Sequence, residues 1–466
     1  MEIDGQELKS HSFKFDVLTA LGPSTPAARL GKLSLTGRKD INTPNFFAVS
    51  SRGVVPHLTP DVISAHAQTG GIHMALEDFV ERSRTSTPPI MDIHGSSPLH
   101  IFSALPSPFI TLLAPRRTPA VAAPNGNTNT SITIFTSTGF QVLSNKAYIN
   151  YISSLRPDIA ISLADVPHGT TPGTKRRDKM ADRTESWLSS LLASRTNAHT
   201  TIFAPILPID ANAQFEYFNH LEENATQIQG LALYDSNLLP DIPATTALSQ
   251  LPRLSLDEPR SPNHILRQIG LGMDVFTIPF IGFATDAGIA LTFEFSNSKQ
   301  EDGGVEPLGV DMWSPTHSSS LMPLAVNCKC YACTSHHRAF IQHLLNAKEM
   351  LGWVLLQVHN HAILSQFFAD IRRSIKEGWY EEGWKAFERK YDSEMPEKSG
   401  MGPRVRGYHY KSEGPREVKR NKAAWGNLGE VGPRKADVEM TVDSEVVVVS
   451  EDGAEELAKK RVAGKV

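Results

Sequence analysis

The three cysteines of the chain all fall within six positions, at Cys328, Cys330 and Cys333. Three thiols on one short turn can bind a single metal ion at little cost in chain entropy, and soft thiolate ligands select zinc. Three buried thiols acting as small apolar side chains are the alternative, but chance rarely places all the thiols of a long chain so close together. A tetrahedral zinc site needs a fourth ligand, which a nearby histidine can supply. The nearby histidines are His336, His337, His359 and His361.

The position of the histidines on a helix narrows this choice. From Arg338 to Gln366 apolar residues recur at steps of three and four, which predicts one amphipathic helix packed on the body of the protein. His359 follows Leu355 by four positions and continues the apolar stripe, whereas His361 lies about 200 degrees further round the helix. We therefore expect His359 to be the fourth ligand of one Zn²⁺ per chain. A closed Cys3His set leaves no position for water or substrate, so the predicted role of the metal is structural.

Short β-like runs alternate with helical segments between about Phe13 and Tyr391, an order typical of strands and helices around a parallel sheet. Several runs are continuously apolar, as in a sheet buried on both faces. Eight runs predict a closed α/β (β/α)8 barrel, and a doubly wound open sheet is the alternative. The eight predicted strands are Asn45–Val49, Gly71–Leu76, Ser131–Thr136, Ile159–Leu163, Thr200–Ile206, Gly230–Leu233, Arg253–Leu256 and Met273–Ile278.

Composition divides the chain into a folded part and a tail. We predict one barrel domain over residues 12–395, with a zinc subdomain at about 323–365. Pro115–Thr130 and Ser296–Ser320 are rich in turn-forming residues and are predicted to be inserted surface loops. Residues 396–466 are rich in Gly, Pro and charged side chains, and we predict that they form a disordered charged tail.

The net charge, the cysteine content and the length of the apolar runs limit the possible compartments and partners of the protein. The formal net charge of −4 excludes a basic surface over the whole chain, so any contact with nucleic acid must come from a local patch. Such a patch is present at Lys175, Arg176 and Arg177, which could contact phosphates. Three clustered cysteines suit a reducing compartment, and the sequence has no apolar run long enough to span a membrane and no signal peptide at its start. We expect a cytoplasmic protein.

Several motifs resemble the queuine tRNA-ribosyltransferase family. The run CKCYAC, followed after 25 residues by His359 and Asn360, is similar to the zinc subdomain of that family. The segments GFQVLS at Gly139–Ser144, PDIAISLAD at Pro157–Asp165 and GMDVFTIP at Gly272–Pro279 extend the resemblance, which covers about residues 12–395. It implies a (β/α)8 barrel with an inserted zinc subdomain. In active members this barrel exchanges a guanine of the tRNA anticodon loop for queuine or a precursor.

The resemblance fails at the positions that carry catalysis. Active members use one aspartate to attack the ribose and another to assist proton transfer, and the matching positions here are Thr277 and Thr136. A hydroxyl without a neighbouring base is a poor nucleophile and has no negative charge to stabilise an oxocarbenium-like centre. Asp165 matches the carboxylate that contacts the base, and we expect it to be a residual base contact at most.

The resemblance therefore implies an accessory subunit without catalytic activity, which forms a heterodimer with a catalytic homologue and supports tRNA binding. It also implies a cytosolic complex that is sometimes attached at the mitochondrial outer membrane. An active transglycosylase with relocated carboxylates is the alternative, and a zinc-dependent hydrolase is a third, less favoured one because the zinc site is closed. Asp165 and Asp274 could be paired carboxylates in the barrel mouth, but helix capping or ion pairing explains them better.

Overall fold

The structure is a computed structural model, and the residues that it describes lie in one compact unit. They are 12–20, 28–80, 88–123, 126–136, 139–167, 171–194, 199–242, 247–297 and 304–403. Most of the predicted charged tail, residues 404–466, lies outside the described residues. The first part of that segment is described, and there the Ser399 hydroxyl donates a hydrogen bond to the Asp311 carboxylate.

The chain begins with a three-stranded antiparallel sheet in the order β1-β2-β3. Its strands are β1 (Phe13–Ala20), β2 (Arg29–Leu35) and β3 (Ile41–Thr43). In β2, buried and half-buried residues alternate, as in a strand with one face on the core. The buried Leu33 and Leu35 pack against the side chains that fill the barrel interior. This sheet therefore covers the end of the barrel where its strands begin, which we call the barrel floor.

Eight parallel strands close into a barrel, so the predicted (β/α)8 architecture is confirmed and the open sheet is excluded. Each strand pairs with the next, and the last pairs with the first through Val275 opposite Asn45. The barrel strands are β4 (Asn45–Val49), β5 (Gly71–Ala75), β6 (Ile110–Ala114), β9 (Ile159–Ile161), β10 (Thr201–Ile206), β11 (Gly230–Leu233), β12 (Arg253–Ser255) and β13 (Val275–Thr277).

The prediction that Ser131–Thr136 is a barrel strand is wrong. This segment is β7, which pairs antiparallel with β8 (Gly139–Ser144) in a separate hairpin. The barrel strand is instead Ile110–Ala114, a short apolar run between prolines that resembled the start of the loop predicted after it. A buried hairpin strand and a barrel strand have the same composition, and only their pairing partners distinguish them.

The helices of the described residues surround the barrel and form the zinc subdomain. Ser144 caps α3, because its hydroxyl accepts a hydrogen bond from the Ala147 amide. The helices are α1 (Pro60–His66), α2 (Pro98–Ser103), α3 (Asn145–Leu155), α4 (Thr174–Ala193), α5 (Phe215–Glu223), α6 (Pro262–Gly270), α7 (Phe280–Ala287), α8 (Tyr331–Ser335), α9 (Arg338–Asn346), α10 (Met350–Glu377) and α11 (Tyr380–Lys390).

The single helix predicted over Arg338–Gln366 is two helices, α9 and α10. Lys348 has a φ of 56° between them, in the left-handed region that ends a helix. The apolar pattern continues across this break, because both helices bury the same stripe, and periodicity therefore did not detect it. The second helix also extends to Glu377, well beyond the predicted end.

The prediction of a surface loop over Ser296–Ser320 is also wrong in part. Within this segment β15 (Gly309–Asp311) pairs antiparallel with β14 (Ile289–Leu291). The flanking Leu308 and Met312 are fully buried. The Gly- and Pro-rich sequence around this short strand conceals it, and residues 298–303 of the segment lie outside the described part of the chain.

Candidate functional site: a metal centre and a barrel mouth

The four predicted metal ligands lie together. One ligand atom from each of Cys328, Cys330, Cys333 and His359 lies within 4.8 Å of all the others. The Nδ1 atom of His359 is 3.6 Å from the Sγ of Cys330 and 3.3 Å from that of Cys333. A tetrahedral zinc with ordinary bond lengths separates its sulfur and nitrogen ligands by about 3.6 Å. The geometry and the donor types therefore fit one metal ion.

Local structure explains how the ligands meet. Cys330 is the residue before α8, and the Cys333 amide donates to its carbonyl, so that the thiols share one turn. Hydrogen bonds among the three thiols lower the pKa of Cys333 and raise that of Cys330, so Cys333 is the thiol that these bonds favour as a thiolate. His359 arrives from α10, and its Nε2 lies 2.8 Å from the Leu291 carbonyl oxygen. That contact makes Nε2 the protonated nitrogen and leaves Nδ1 for the metal.

Asn360 attaches the same turn of α10 to β14. Its side-chain amide donates to the Thr285 hydroxyl at 2.9 Å and to the Ile289 carbonyl at 3.0 Å. Its side-chain oxygen accepts a hydrogen bond from the Leu291 amide at 2.9 Å. The residue is fully buried. Two of these bonds hold the strand whose carbonyl orients His359, and the bond to Thr285 connects α10 to α7.

Replacing Asn360 with alanine is expected to weaken metal binding. Loss of these bonds loosens β14, whose Leu291 carbonyl orients His359. Changes of this kind around a metal ligand cost about 10- to 100-fold in affinity. Competition with a chromophoric zinc chelator measures the change. Asn346→Ala, at the exposed end of α9, is the matched control and should bind metal like the unchanged chain. Equal affinities for the two variants would contradict this prediction.

The other candidate histidines have different contacts. His361 is buried beside Gln357, and burial lowers its pKa to about 4, so it is neutral. His336 stacks on Phe340 with ring centroids 5.1 Å apart. His337 caps α9 by accepting a hydrogen bond from the Phe340 amide. None of the three belongs to the four-residue cluster.

The carboxyl ends of the barrel strands form the barrel mouth, where ligands bind in this architecture. Both threonines at the expected catalytic positions are fully buried there. The Thr136 hydroxyl donates to the Gly139 carbonyl and accepts a hydrogen bond from the side-chain amide of Gln141. The Thr277 hydroxyl donates to the Ser255 carbonyl at 3.1 Å. Each hydroxyl thus stabilises the local structure around it through hydrogen bonds.

Asp165 also lies at the mouth, four residues after the end of β9, and its side chain is 0% exposed. Arg176 binds its two oxygens with two N–H groups, each at 2.5 Å. Arg183 donates to it at 3.0 Å and Asn127 at 2.7 Å. Burial alone would raise the pKa of Asp165, but these donors outweigh it and lower the pKa. The carboxylate is therefore ionised.

Asp274 lies at the opposite end of the barrel. It precedes β13, at the barrel floor, and forms a buried ion pair with Arg29 of β2 at 2.5 Å. Its carboxylate also accepts a hydrogen bond from the Arg253 amide. Asp165 and Asp274 are thus not a pair, and each is bound to arginine, as the ion-pair interpretation predicts.

The basic cluster lies at the start of a helix. Lys175, Arg176 and Arg177 belong to the first turn of α4. Arg176 is bound to Asp165, and Arg177 pairs with Asp210 at 2.9 Å, while Lys175 is exposed. Cations in the first turn oppose the helix dipole, which makes this end of α4 suited to a negatively charged contact.

Sequence reasoning missed the pair that fixes the hairpin. Glu77 is buried just after β5 and accepts hydrogen bonds from the Phe135 and Arg117 amides at 2.9 and 2.8 Å. Arg117 also binds this carboxylate through Nε and donates to the Phe135 carbonyl. Burial raises the pKa of Glu77, and Arg117 opposes that rise. The signal was available, because Glu77 directly follows an apolar strand and Arg117 follows β6.

Comparison with known proteins agrees with this architecture. Residues 24–393 match the family described as queuine tRNA-ribosyltransferase. The chain belongs to this family. It is 38% identical over 412 residues to the queuine tRNA-ribosyltransferase accessory subunit 2 of Schizosaccharomyces pombe, covering 86% of this chain and 90% of that protein. Proteins of the same name from Drosophila persimilis and Drosophila melanogaster are 28% and 27% identical, over 75% and 76% of this chain and 86% and 87% of their own lengths.

Relatives named accessory subunit 2 thus match this member of the queuine tRNA-ribosyltransferase family over most of its length. Within the described residues, none of the helices has the length and apolar character needed to cross a membrane.

Proposed function

We propose that the chain is the non-catalytic accessory subunit of a queuine tRNA-ribosyltransferase. The proposal depends on Thr136 and Thr277, which the resemblance matches to the two catalytic carboxylates. The structure supports it, because both hydroxyls donate hydrogen bonds to backbone carbonyls. A reaction through a covalent ribosyl intermediate needs a carboxylate nucleophile there. Two buried carboxylates described at the mouth are already bound to arginine, Asp165 to Arg176 and Arg183 and Glu77 to Arg117, so neither replaces the missing groups. The similarity to proteins named accessory subunit 2 supports the same conclusion.

The proposed partner is the catalytic subunit, in a heterodimer formed through the zinc subdomain. This subdomain and the residues just before it expose several large apolar side chains, and exposed apolar patches commonly mark protein interfaces. Tyr331 is 44% exposed and stacks on His66 of α1, so the surface continues onto the barrel. The exposed apolar residues of the subdomain surface are Leu321, Met322, Val326, Tyr331, Met350 and Leu351.

The metal in this proposal is one structural Zn²⁺ per chain, held by three thiolates and one imidazole. For tRNA, the proposed phosphate contacts are Lys175 and Arg177 at the start of α4, where positive charge attracts the backbone without reading bases. Arg176 contributes less to that surface because its guanidinium group binds Asp165. The proposed location is the cytoplasm, with peripheral attachment at the mitochondrial outer membrane, as the resemblance implies.

The test is co-purification with a catalytic homologue, followed by base-exchange assays on each chain and on the mixture. We expect no incorporation of labelled guanine into tRNA by the isolated chain, and exchange by the mixture. Leu351→Glu is expected to weaken co-purification at least about tenfold, because a buried unpaired charge is costly in an apolar interface.

Leu18→Glu on β1 is the matched control, since Leu18 is a 60% exposed leucine outside the zinc subdomain. Exchange catalysed by the isolated chain would instead favour the active transglycosylase with relocated carboxylates. Equal loss of co-purification in the two variants would contradict the proposed interface.

A further inference from the structure

The carboxylate of Asp165 has no free acceptor capacity. An ionised carboxylate offers about four lone-pair sites. Arg176 uses two of them with its two terminal N–H groups, and Arg183 and Asn127 each use one more. A ligand that needs this carboxylate must therefore displace one of these three side chains.

The donors differ in how firmly they are held. Arg183 also donates to the Asn127 carbonyl and to the Asn129 side chain, so it belongs to the body of the protein. Among the described residues, the side chain of Arg176 hydrogen-bonds with Asp165 alone, and it is 28% exposed compared with 16% for Arg183. Of the two arginines, Arg176 is thus the one on the solvent side.

The guanidinium of Arg176 presents the same hydrogen-bond donors as one edge of a guanine base. A guanidinium presents two parallel N–H donors in one plane, which match the two oxygens of a carboxylate. The edge of guanine that carries its ring N–H and its amino group presents the same planar pair of donors. A carboxylate at the mouth of a barrel that could hold guanine would be satisfied in the same way by this arginine.

We propose that Arg176 occupies Asp165 as a built-in substitute for a guanine-type base, so that the barrel of this chain does not take up free base. This inference rests on the proposed accessory function and deepens it, because a closed mouth keeps the accessory chain from competing with its catalytic partner for the base. It assigns Arg176 an occluding role, and it assigns Arg183 and Asn127 the role of holding the carboxylate in place.

The experiment is equilibrium dialysis of the full chain with labelled guanine. Arg176→Ala leaves Asp165 with two donors, so the variant should fold, and its unfolding midpoint is measured in parallel. We expect no detectable binding by the unchanged chain and a gain of at least about tenfold in affinity for Arg176→Ala, since removing an occluding state raises the competent fraction. Arg373→Ala, which breaks the ion pair with Asp370 on α10, is the matched control and should not bind.

Two results would overturn the proposal. One is guanine binding by the unchanged chain as tight as that of Arg176→Ala, and the other is a folded Arg176→Ala that gains no binding. If that variant does not fold, Arg176→Gln, which retains part of the hydrogen bonding, takes its place with the same expectation. Because dialysis needs neither tRNA nor the partner, its outcome is independent of the co-purification that tests the accessory function.

Discussion

Removal of the metal by a strong chelator is expected to unfold the zinc subdomain locally and to leave the barrel folded. Cys330, Cys333 and α9 pack in a small apolar cluster, whereas Cys328 and the part of α10 from Val358 onward pack on the main core. Apparent binding free energies for structural zinc are about 10 to 16 kcal/mol at pH 7 in small zinc domains, and such metal binding is part of their folding. Limited proteolysis should then cut first between residues 323 and 346, with zinc release measured in parallel.

The same experiment has a pH dependence of known sign. Metal ligands bind in their deprotonated forms, so acidification is expected to release the metal, and the proteolytic sensitivity should rise as the pH falls. Cys330→Ser should reproduce the metal-free pattern at neutral pH. His336→Ala changes a histidine near the cysteines that is not in the cluster, and it should retain the metal. A chelated chain as resistant to protease as the metal-bound one would refute the structural role.

Replacing Asp274 with alanine is expected to lower the free energy of unfolding by about 3 to 5 kcal/mol. The substitution leaves Arg29, which is 6% exposed in its side chain, buried without its partner. It also removes the acceptor of the Arg253 backbone amide. The side chain of Arg253 is buried nearby, and burial lowers its pKa to about 10, so a second cation at this site also loses a neighbouring negative charge. Urea denaturation followed by far-UV circular dichroism measures the change as a shift of the midpoint at constant slope.

Asp40→Ala is the control for this prediction. Asp40 pairs with Lys32 at 2.7 Å, but both side chains are more than 40% exposed, so solvent screens the pair and little stability should be lost. A midpoint for Asp274→Ala that equals that of Asp40→Ala would mean that the ion pair at the barrel floor contributes nothing beyond an exposed one.

The parts of this fold that the sequence predicted are those with a local signal. The metal cluster could be predicted because three ligands lie within six positions, and helical periodicity selected His359 for the fourth. Most barrel strands could be predicted because burial on both faces produces continuous apolar runs. Ser131–Thr136 was assigned to the barrel because its composition is that of a barrel strand. It pairs instead with β8 in a hairpin, and composition does not reveal a pairing partner.

The polar network of the mouth could not be predicted for a related reason. Arg176 and Asp165 are 11 residues apart, but Arg117 and Glu77 are 40 apart and belong to different strand-to-helix connections. The sequence shows that such residues exist near strand ends, but not which of them meet. The same holds for Asp274, which lies inside the predicted strand Met273–Ile278 but precedes β13 in the structure, at the end of the barrel opposite Asp165.

The floor of the barrel has a consequence for synthesis of the protein. Arg29 meets Asp274 across 245 positions, and β4 completes the ring only by pairing with β13. The first strands to leave the ribosome therefore wait, with unpaired edges, until most of the chain has been made. Such distant pairing is slow and leaves nascent strands open to aggregation, so this polypeptide should depend on chaperones during translation more than a helical bundle of equal length does.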